Sequence, residues 1–250
     1  MIYLCGDTHG TYDIKKVNNW YNKNHTKLTE DDIMIQLGDW GAIWHDKHNM
    51  RAHKKDLELQ VKWSKKKFTL LVVPGNHENY NEIEKLPIIE KFGGKVRVLK
   101  PINIYNLSGD YKEIYLLERG EIYTINGLKF LTLGGAMSQD KSMRTTNIDW
   151  WEQELWTHEQ ESNCLDNLEK HSWEVDYVIS HTCPTIIGAH LIQKDGKGYL
   201  IGKTHDPVAK FFQHLVDSNL SFKMWYFGHF HMDYKIYDFQ CCYDKIYTLS

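Results

Sequence analysis

Three things are missing from this sequence. It has no apolar run approaching the roughly 18 residues needed to span a bilayer, no Cys-x-x-Cys pair, and no stretch rich in proline, glycine and serine. The first absence argues against a membrane partner. The second argues against a structural zinc site, which usually uses a closed, cysteine-rich tetrahedron. The five cysteines (Cys5, Cys164, Cys183, Cys241, Cys242) are odd in number and read as reduced thiols of a cytoplasmic protein. Cys183, two residues after His181, admits two readings: a thiol near a metal, or a buried inert one. The third absence leaves no linker, and there is no repeat or low-complexity segment. One domain over residues 1–250 is the simplest organisation. No basic leader has room before Asp7. A net charge of −3 with 25% charged residues describes an ordinary globular chain and disfavours indiscriminate coating of nucleic acid.

What is present begins with alternation. Ile2 to Cys5, Ile33 to Leu37 and Phe68 to Val73 read as short buried strands. Tyr12 to Asn24 and Met50 to Ser64 between them are helix-compatible. Strand–helix–strand order implies a parallel sheet covered by helices, with ligands bound beyond the carboxyl ends of the strands. Further on, Glu121 to Ile125 and Leu128 to Leu133 flank Asn126-Gly127, a type I′ hairpin signal. Trp151 to Lys170 reads as a helix, Val175 to Ile179 as a strand, and Asp206-Pro207 as the start of a helix ending near Asp217. Met224 to Phe227 reads as another strand, and Tyr234 to Tyr247 has strand-like aromatic content.

Five short motifs end apolar runs in fixed order: Gly6-Asp7-Thr8-His9-Gly10, Gly38-Asp39-Trp40, Gly75-Asn76-His77-Glu78, Ser180-His181 and Gly228-His229-Phe230-His231. They offer Asp7, His9, Asp39, Asn76, His181, His229 and His231 as oxygen and nitrogen ligands, with His77 to spare. The set is large enough for two divalent ions, a common device for cutting phosphate esters. In extended backbone, side chains two apart share a face, so Asp7 and His9 are expected to reach one ion, and the same spacing recurs in His229 and His231. Asp39 has two carboxylate oxygens and can bridge. Mixed carboxylate, imidazole and amide ligands suit manganese, iron, zinc or nickel, with manganese the first expectation. His77 is the general-acid candidate, because histidine is matched to neutral pH.

The ordered set, from Asp7 to His231, resembles the calcineurin-like metallophosphoesterase superfamily, in its small bacterial and phage-type form. The resemblance implies an α/β fold, a four-layer α/β/β/α sandwich with two central mixed sheets. It implies one metal on Asp7, His9, Asp39 and His231, and a second on Asp39, Asn76, His181 and His229. It further implies a bridging hydroxide as nucleophile, with His77 stabilising the phosphoryl charge and protonating the leaving oxygen.

The chain departs from the protein-phosphatase branch, which follows the second motif with an Asp-Arg pair. Here the corresponding residues are Ala42 and Ile43. Asp46 or Glu78 is offered as orienting His77, each against a solvated surface role. Arg144, after Gly134-Gly135, is expected to supply the phosphate grip by its bidentate fork. The alternative is a solvated loop backed by core tryptophans. Trp40 and Trp44 are read either as stacking platforms or as core. Lys47 to Lys67 carries eight basic and two acidic residues, either steering a polyanion or forming a solvated face. Ile187 to His205 is a lid or a connector. The substrate expected is a phosphorylated small molecule, nucleotide or phosphoprotein, cut as a mono- or diester. A nuclease is the alternative, with a non-catalytic metal-binding scaffold behind it.

Overall fold

The computed structural model describes residues 1–102, 111–195 and 205–249. The apolar runs become strands of two mixed sheets. The first third holds β1 (Ile2–Cys5), α1 (Lys15–Asn24), β2 (Ile33–Leu37), α2 (Met50–Ser64) and β3 (Thr69–Val73). A short helix α3 (Tyr80–Ile83) leads to β4 (Ile88–Lys91), β5 (Gly94–Leu99) and β6 (Ile114–Leu117). The hairpin β7 (Ile122–Ile125) and β8 (Leu128–Leu133) opens the second half. It is followed by α4 (His158–Lys170), β9 (Tyr177–Ser180), α5 (Thr185–Asp195), α6 (Pro207–Asp217) and β10 (Met224–Phe227). Three short strands close the chain: β11 (Tyr234–Ile236), β12 (Phe239–Cys241) and β13 (Tyr247–Leu249).

One sheet has the order β13-β1-β2-β3-β6-β5-β4, the other β11-β12-β10-β9-β8-β7. β1, β2, β3 and β6 run parallel, as do β8, β9, β10 and β12. The outer strands of both sheets run antiparallel. Strand residues alternate between faces, and the clusters they join define the layers. Leu4, Ile35, Leu37, Leu71 and Val73 from the first sheet meet Ile125, Phe130 and Ile179 from the second. Met34, Leu70 and Val72 face Val17 of α1 and Leu59 and Trp63 of α2. On the other side, Leu131, Val178, Trp225 and Phe227 face Leu168, Leu191 and Phe212. That is the expected α/β/β/α order. None of the described helices is long and apolar enough to cross a membrane.

Several expected boundaries shift for local reasons. The helix expected from Trp151 begins only at His158. Thr157 caps it, accepting from the Gln160 amide while the Gln160 side chain accepts from the Thr157 amide. Such a reciprocal box fixes the first turn, and Glu152–Glu154 upstream forms a separate 3-10 turn. α1 begins at Lys15 rather than Tyr12. The hairpin forms as expected, with φ of 51° at Asn126 and 79° at Gly127. The stretch from Ile187 to His205, expected as a lid or a connector, is described only in part. Its first part belongs to α5, whose Ile187 and Leu191 are buried in the outer core. Residues 196–204 of that stretch lie outside the described residues.

Candidate metal centre and phosphate site

All five motifs meet at the carboxyl ends of β1, β2, β3, β9 and β10. The loops after β1 and β2 are zipped together: the Asp7 amide donates to Gly38 O, and the Thr8 and His9 amides both donate to Asp39 O. Gly38 has to be glycine, since its φ is 87° and a Cβ there would stand 2.1 Å from His181 Nδ1.

The spacing argument for the two Asp-x-His and His-x-His pairs needs correcting. Neither pair is extended. Asp7 (46°), His9 (42°), Asp39 (53°), His229 (66°) and His231 (51°) all have positive φ. The chain turns in the left-handed region at each of them, a conformation that costs a non-glycine residue on the order of 1 kcal/mol or more. The turns, not strand pleating, aim these side chains into one volume.

Two groups of donor atoms result, Asp7, His9, Asp39 and His231, and Asp39, His181 and His229. Within each, the ligand atoms lie within 4.8 Å of one another, and Asp39 belongs to both. Asp39 Oδ2 is 3.3 Å from His9 Nε2 and its Oδ1 is 3.1 Å from His181 Nε2. Asn76 Oδ1 is 2.9 Å from the same His181 nitrogen. His231 Nε2 is 3.5 Å from Asp7 Oδ1.

The second ring nitrogens are held by acceptors. His9 Nδ1 donates to Asp13 Oδ2 at 2.7 Å, and His181 Nδ1 donates to Leu37 O at 2.9 Å. Each bond commits Nδ1 as the donor and turns Nε2, the nitrogen free to ligate an ion, towards the centre. Tyr243, on the β12–β13 connection, stacks on His231 at 4.8 Å and donates to Asp13 at 3.2 Å. It thereby braces His231 directly and His9 through Asp13.

The field of the site favours positive charge. Burial pushes the Asp39 carboxyl up, but the facing imidazoles of His181, His77 and His9 outweigh burial and hold it well below the usual carboxylate range. Burial lowers His9 and His181, yet Asp39 and Asp7 overcome it and raise both to about 9. Two buried carboxylates surrounded by oriented imidazoles and an amide oxygen form a donor set that fits divalent cations. Asp7, His9, Asp39 and His231 would hold one, and Asp39, Asn76, His181 and His229 another.

His77 stands apart from these groups. Its amide donates to Asp39 Oδ1 at 2.8 Å, while its Nε2 is 4.0 Å from Asp39 Oδ2. Burial, with Arg144, His9 and His181 nearby, keeps its imidazole below the ordinary value against the pull of Asp39. The expected orienting acids do not reach it. Glu78 instead accepts the amides of Trp40 and Gly75, each at 2.6 Å, and of Gly41 at 3.2 Å. It clasps the β2 and β3 loops together, and burial pushes its carboxyl up to about 7. Asp46 accepts the His48 amide on the surface. What lies against His77 is the Trp44 ring, at 5.5 Å, and the Arg144 guanidinium.

Arg144 is brought to the site from a loop 67 residues downstream of His77. Its Nε donates to Asp140 Oδ1 at 2.8 Å and its Nη1 to Asp149 O at 3.0 Å. Trp40 is wholly buried and packs on Trp63, whereas Trp44 is half-buried. A cavity of about 760 Å³ opens at His9, His77, His231 and Arg144 and passes Trp44 to Lys55 of the basic segment. Cys183 is buried in the outer core.

The network behind the ligands had faint sequence signals at best. Asp13 follows His9 by one helical turn, a spacing that invites pairing. Ser138, Glu154 and Tyr243 had none. Asn76 Nδ2 donates to Ser138 Oγ at 3.1 Å, which donates to Glu154 Oε2 at 2.6 Å.

No curated protein matches the chain. A family model for the calcineurin-like phosphoesterases matches residues 1–233, and the chain belongs to that family. The family is metal-dependent, and membership implies a hydrolase acting on phosphoesters.

Proposed function

From that membership we propose that the protein hydrolyses phosphate mono- or diesters of small phosphorylated molecules, using two divalent ions, with manganese the first choice. The observation that carries this reading is the position of Asp39, whose two carboxylate oxygens belong one to each ligand group. Two ions held there would lower the pKa of a bound water and neutralise phosphate charge. The chain's own residues supply the rest. His77, beside Asp39 and open to the cavity, is placed to give a proton to the leaving oxygen. Arg144, bonded to Asp140 and Asp149 O and lining the cavity, would grip phosphate, since guanidinium geometry suits two oxygens at once.

The cavity supports a small substrate over a folded phosphoprotein. Its volume of about 760 Å³ falls in the range of pockets that enclose small ligands. Lys55 at the far end favours a leaving group that is itself anionic. Localisation in the cytoplasm is part of the same reading, from the reduced cysteines.

The test is a screen of manganese, nickel, iron and zinc against phosphomonoesters, phosphodiesters, nucleotides, phosphopeptides and nucleic acid. Metal-dependent turnover of small esters that exceeds turnover of phosphopeptides and nucleic acid is the expected result. A preference for long nucleic acid would instead support the nuclease alternative, with α2 as its basic face.

A further inference from the structure

We propose that Ser138 and Glu154 are positioning residues that fix which end of the Asn76 amide faces the ions. The inference rests on the two-ion reading above.

Glu154 is a buried carboxylate, 0% exposed, with no lysine or arginine in ion-pair contact among the described residues. Burying such a charge is costly unless it is hydrogen-bonded; burial pushes this carboxyl up, and the bonds from Ser138 act against it in favour of the ionised form. It makes two short bonds to one residue: the Ser138 amide donates to Oε1 at 2.7 Å and the Ser138 hydroxyl to Oε2 at 2.6 Å. An ionised carboxylate only accepts. The single proton of Ser138 is therefore committed to Glu154, and the hydroxyl has only lone pairs left for its other neighbour. That neighbour is Asn76 Nδ2, 3.1 Å away. Only the NH₂ end of the amide can face a hydroxyl in this state. Oδ1 must then point the opposite way, to His181 Nε2 at 2.9 Å and the Asp39 side of the centre.

The direction matters because an asparagine amide is nearly symmetric in shape but opposite in polarity at its two ends. One orientation offers an ion a ligand oxygen, the other an NH₂ group. The proton order Asn76 to Ser138 to Glu154 selects the first. Arg119 anchors the far end of the chain of bonds. It donates to the Glu154 carbonyl at 3.0 Å and to Tyr80 Oη at 2.6 Å, and Tyr80 in turn donates to Gly75 O at 2.6 Å.

Glu154→Gln tests the proton order with little change of shape. The Ser138 amide still needs an acceptor, so the new side chain turns its oxygen there and its NH₂ towards Ser138 Oγ. Ser138 then donates to Asn76, and the Asn76 amide turns over. The measurement is calorimetric titration of chelator-stripped protein with Mn²⁺. Wild type should take two ions. Glu154→Gln should hold one of them about 10–100-fold more weakly, as loss of an outer-shell partner does, while its unfolding temperature in chelator stays at or above wild type.

The double variant Asn76→Asp with Glu154→Gln should bind that ion more tightly than either single variant. A carboxylate can accept from Ser138 and still offer an oxygen to the ion. In Asn76→Asp alone, two carboxylates compete for one hydroxyl proton. A merely structural role for Glu154 predicts no such recovery. Two tightly bound ions in wild type, Glu154→Gln and Ser138→Ala alike would overturn the relay and leave the two-ion reading standing. A double variant no better than the worse single would also overturn the relay. A wild type that takes no ions would overturn both.

Discussion

The Arg144 guanidinium lies across the His77 imidazole, with Nη2 3.4 Å from Nε2 and Nη1 3.5 Å from Nδ1. The two residues share the mouth of one cavity with Trp44. Asp140 accepts from Arg144 Nε at 2.8 Å, while Nη2 and Nη1 face His77 Nε2 and Nδ1. The second motif itself lacks an Asp-Arg pair, and this contact is built from a different loop.

If Arg144 grips phosphate in the transition state, Arg144→Ala should lower kcat/KM by roughly 10–10³-fold, about 1.4–4 kcal/mol. Arg144→Lys should recover only part, keeping charge but losing the fork. Steady-state kinetics on a phosphomonoester series, with metal content measured alongside, checks this. Unchanged kcat/KM in Arg144→Ala would leave the site without its proposed cation.

His77 belongs to neither ligand group, so His77→Asn should retain both ions and lose rate. The loss should shrink for esters with good leaving groups, which need little protonation. Equal losses across leaving groups of differing pKa would point to an electrostatic role instead.

Asp39 faces both groups, and its replacement should affect both. Asp39→Asn should reduce bound metal below two equivalents and abolish turnover. Elemental analysis of the purified variant showing two full equivalents would refute the bridging assignment.

Chelation should lower the unfolding temperature. Each ion bound by the folded state alone and present at 100 times its dissociation constant adds about 2.7 kcal/mol. Differential scanning fluorimetry with and without chelator should therefore show a clear downward shift in wild type and a much smaller one in Asp39→Asn. Matching curves for wild type in the two conditions would argue against tight binding.

The layer order and the motif positions were legible because they depend on local pattern. Apolar runs such as Ile33–Leu37 alternate faces, and each motif sits just beyond one. Asn126-Gly127 declared its turn because both residues tolerate positive φ. The Thr157–Gln160 box was visible in the sequence too, but the apolar residues Trp151, Leu155 and Trp156 masked it. What could not be read were contacts between distant segments. Glu78 clasps Trp40 across 38 residues, Ser138 meets Asn76 across 62, and Tyr243 meets Asp13 across 230. Nor did the sequence disclose that five ligand positions turn left-handed, since Asp and His give no such signal as glycine does.

The distance along the chain between Asp7 and His229 has a consequence for when the centre can exist. The His229 amide donates to both Asp7 oxygens across 222 residues, and β1 is flanked by β13. The contact can form only once the segment carrying His229 has been made. A chain emerging from synthesis presents Asp7, His9, Asp39 and Asn76 well before His181, His229 and His231. In that interval the early carboxylates have only His9 of the ligand imidazoles beside them. Metal loading is thus coupled to completion of the second sheet, and partly made chains have no assembled phosphoesterase centre.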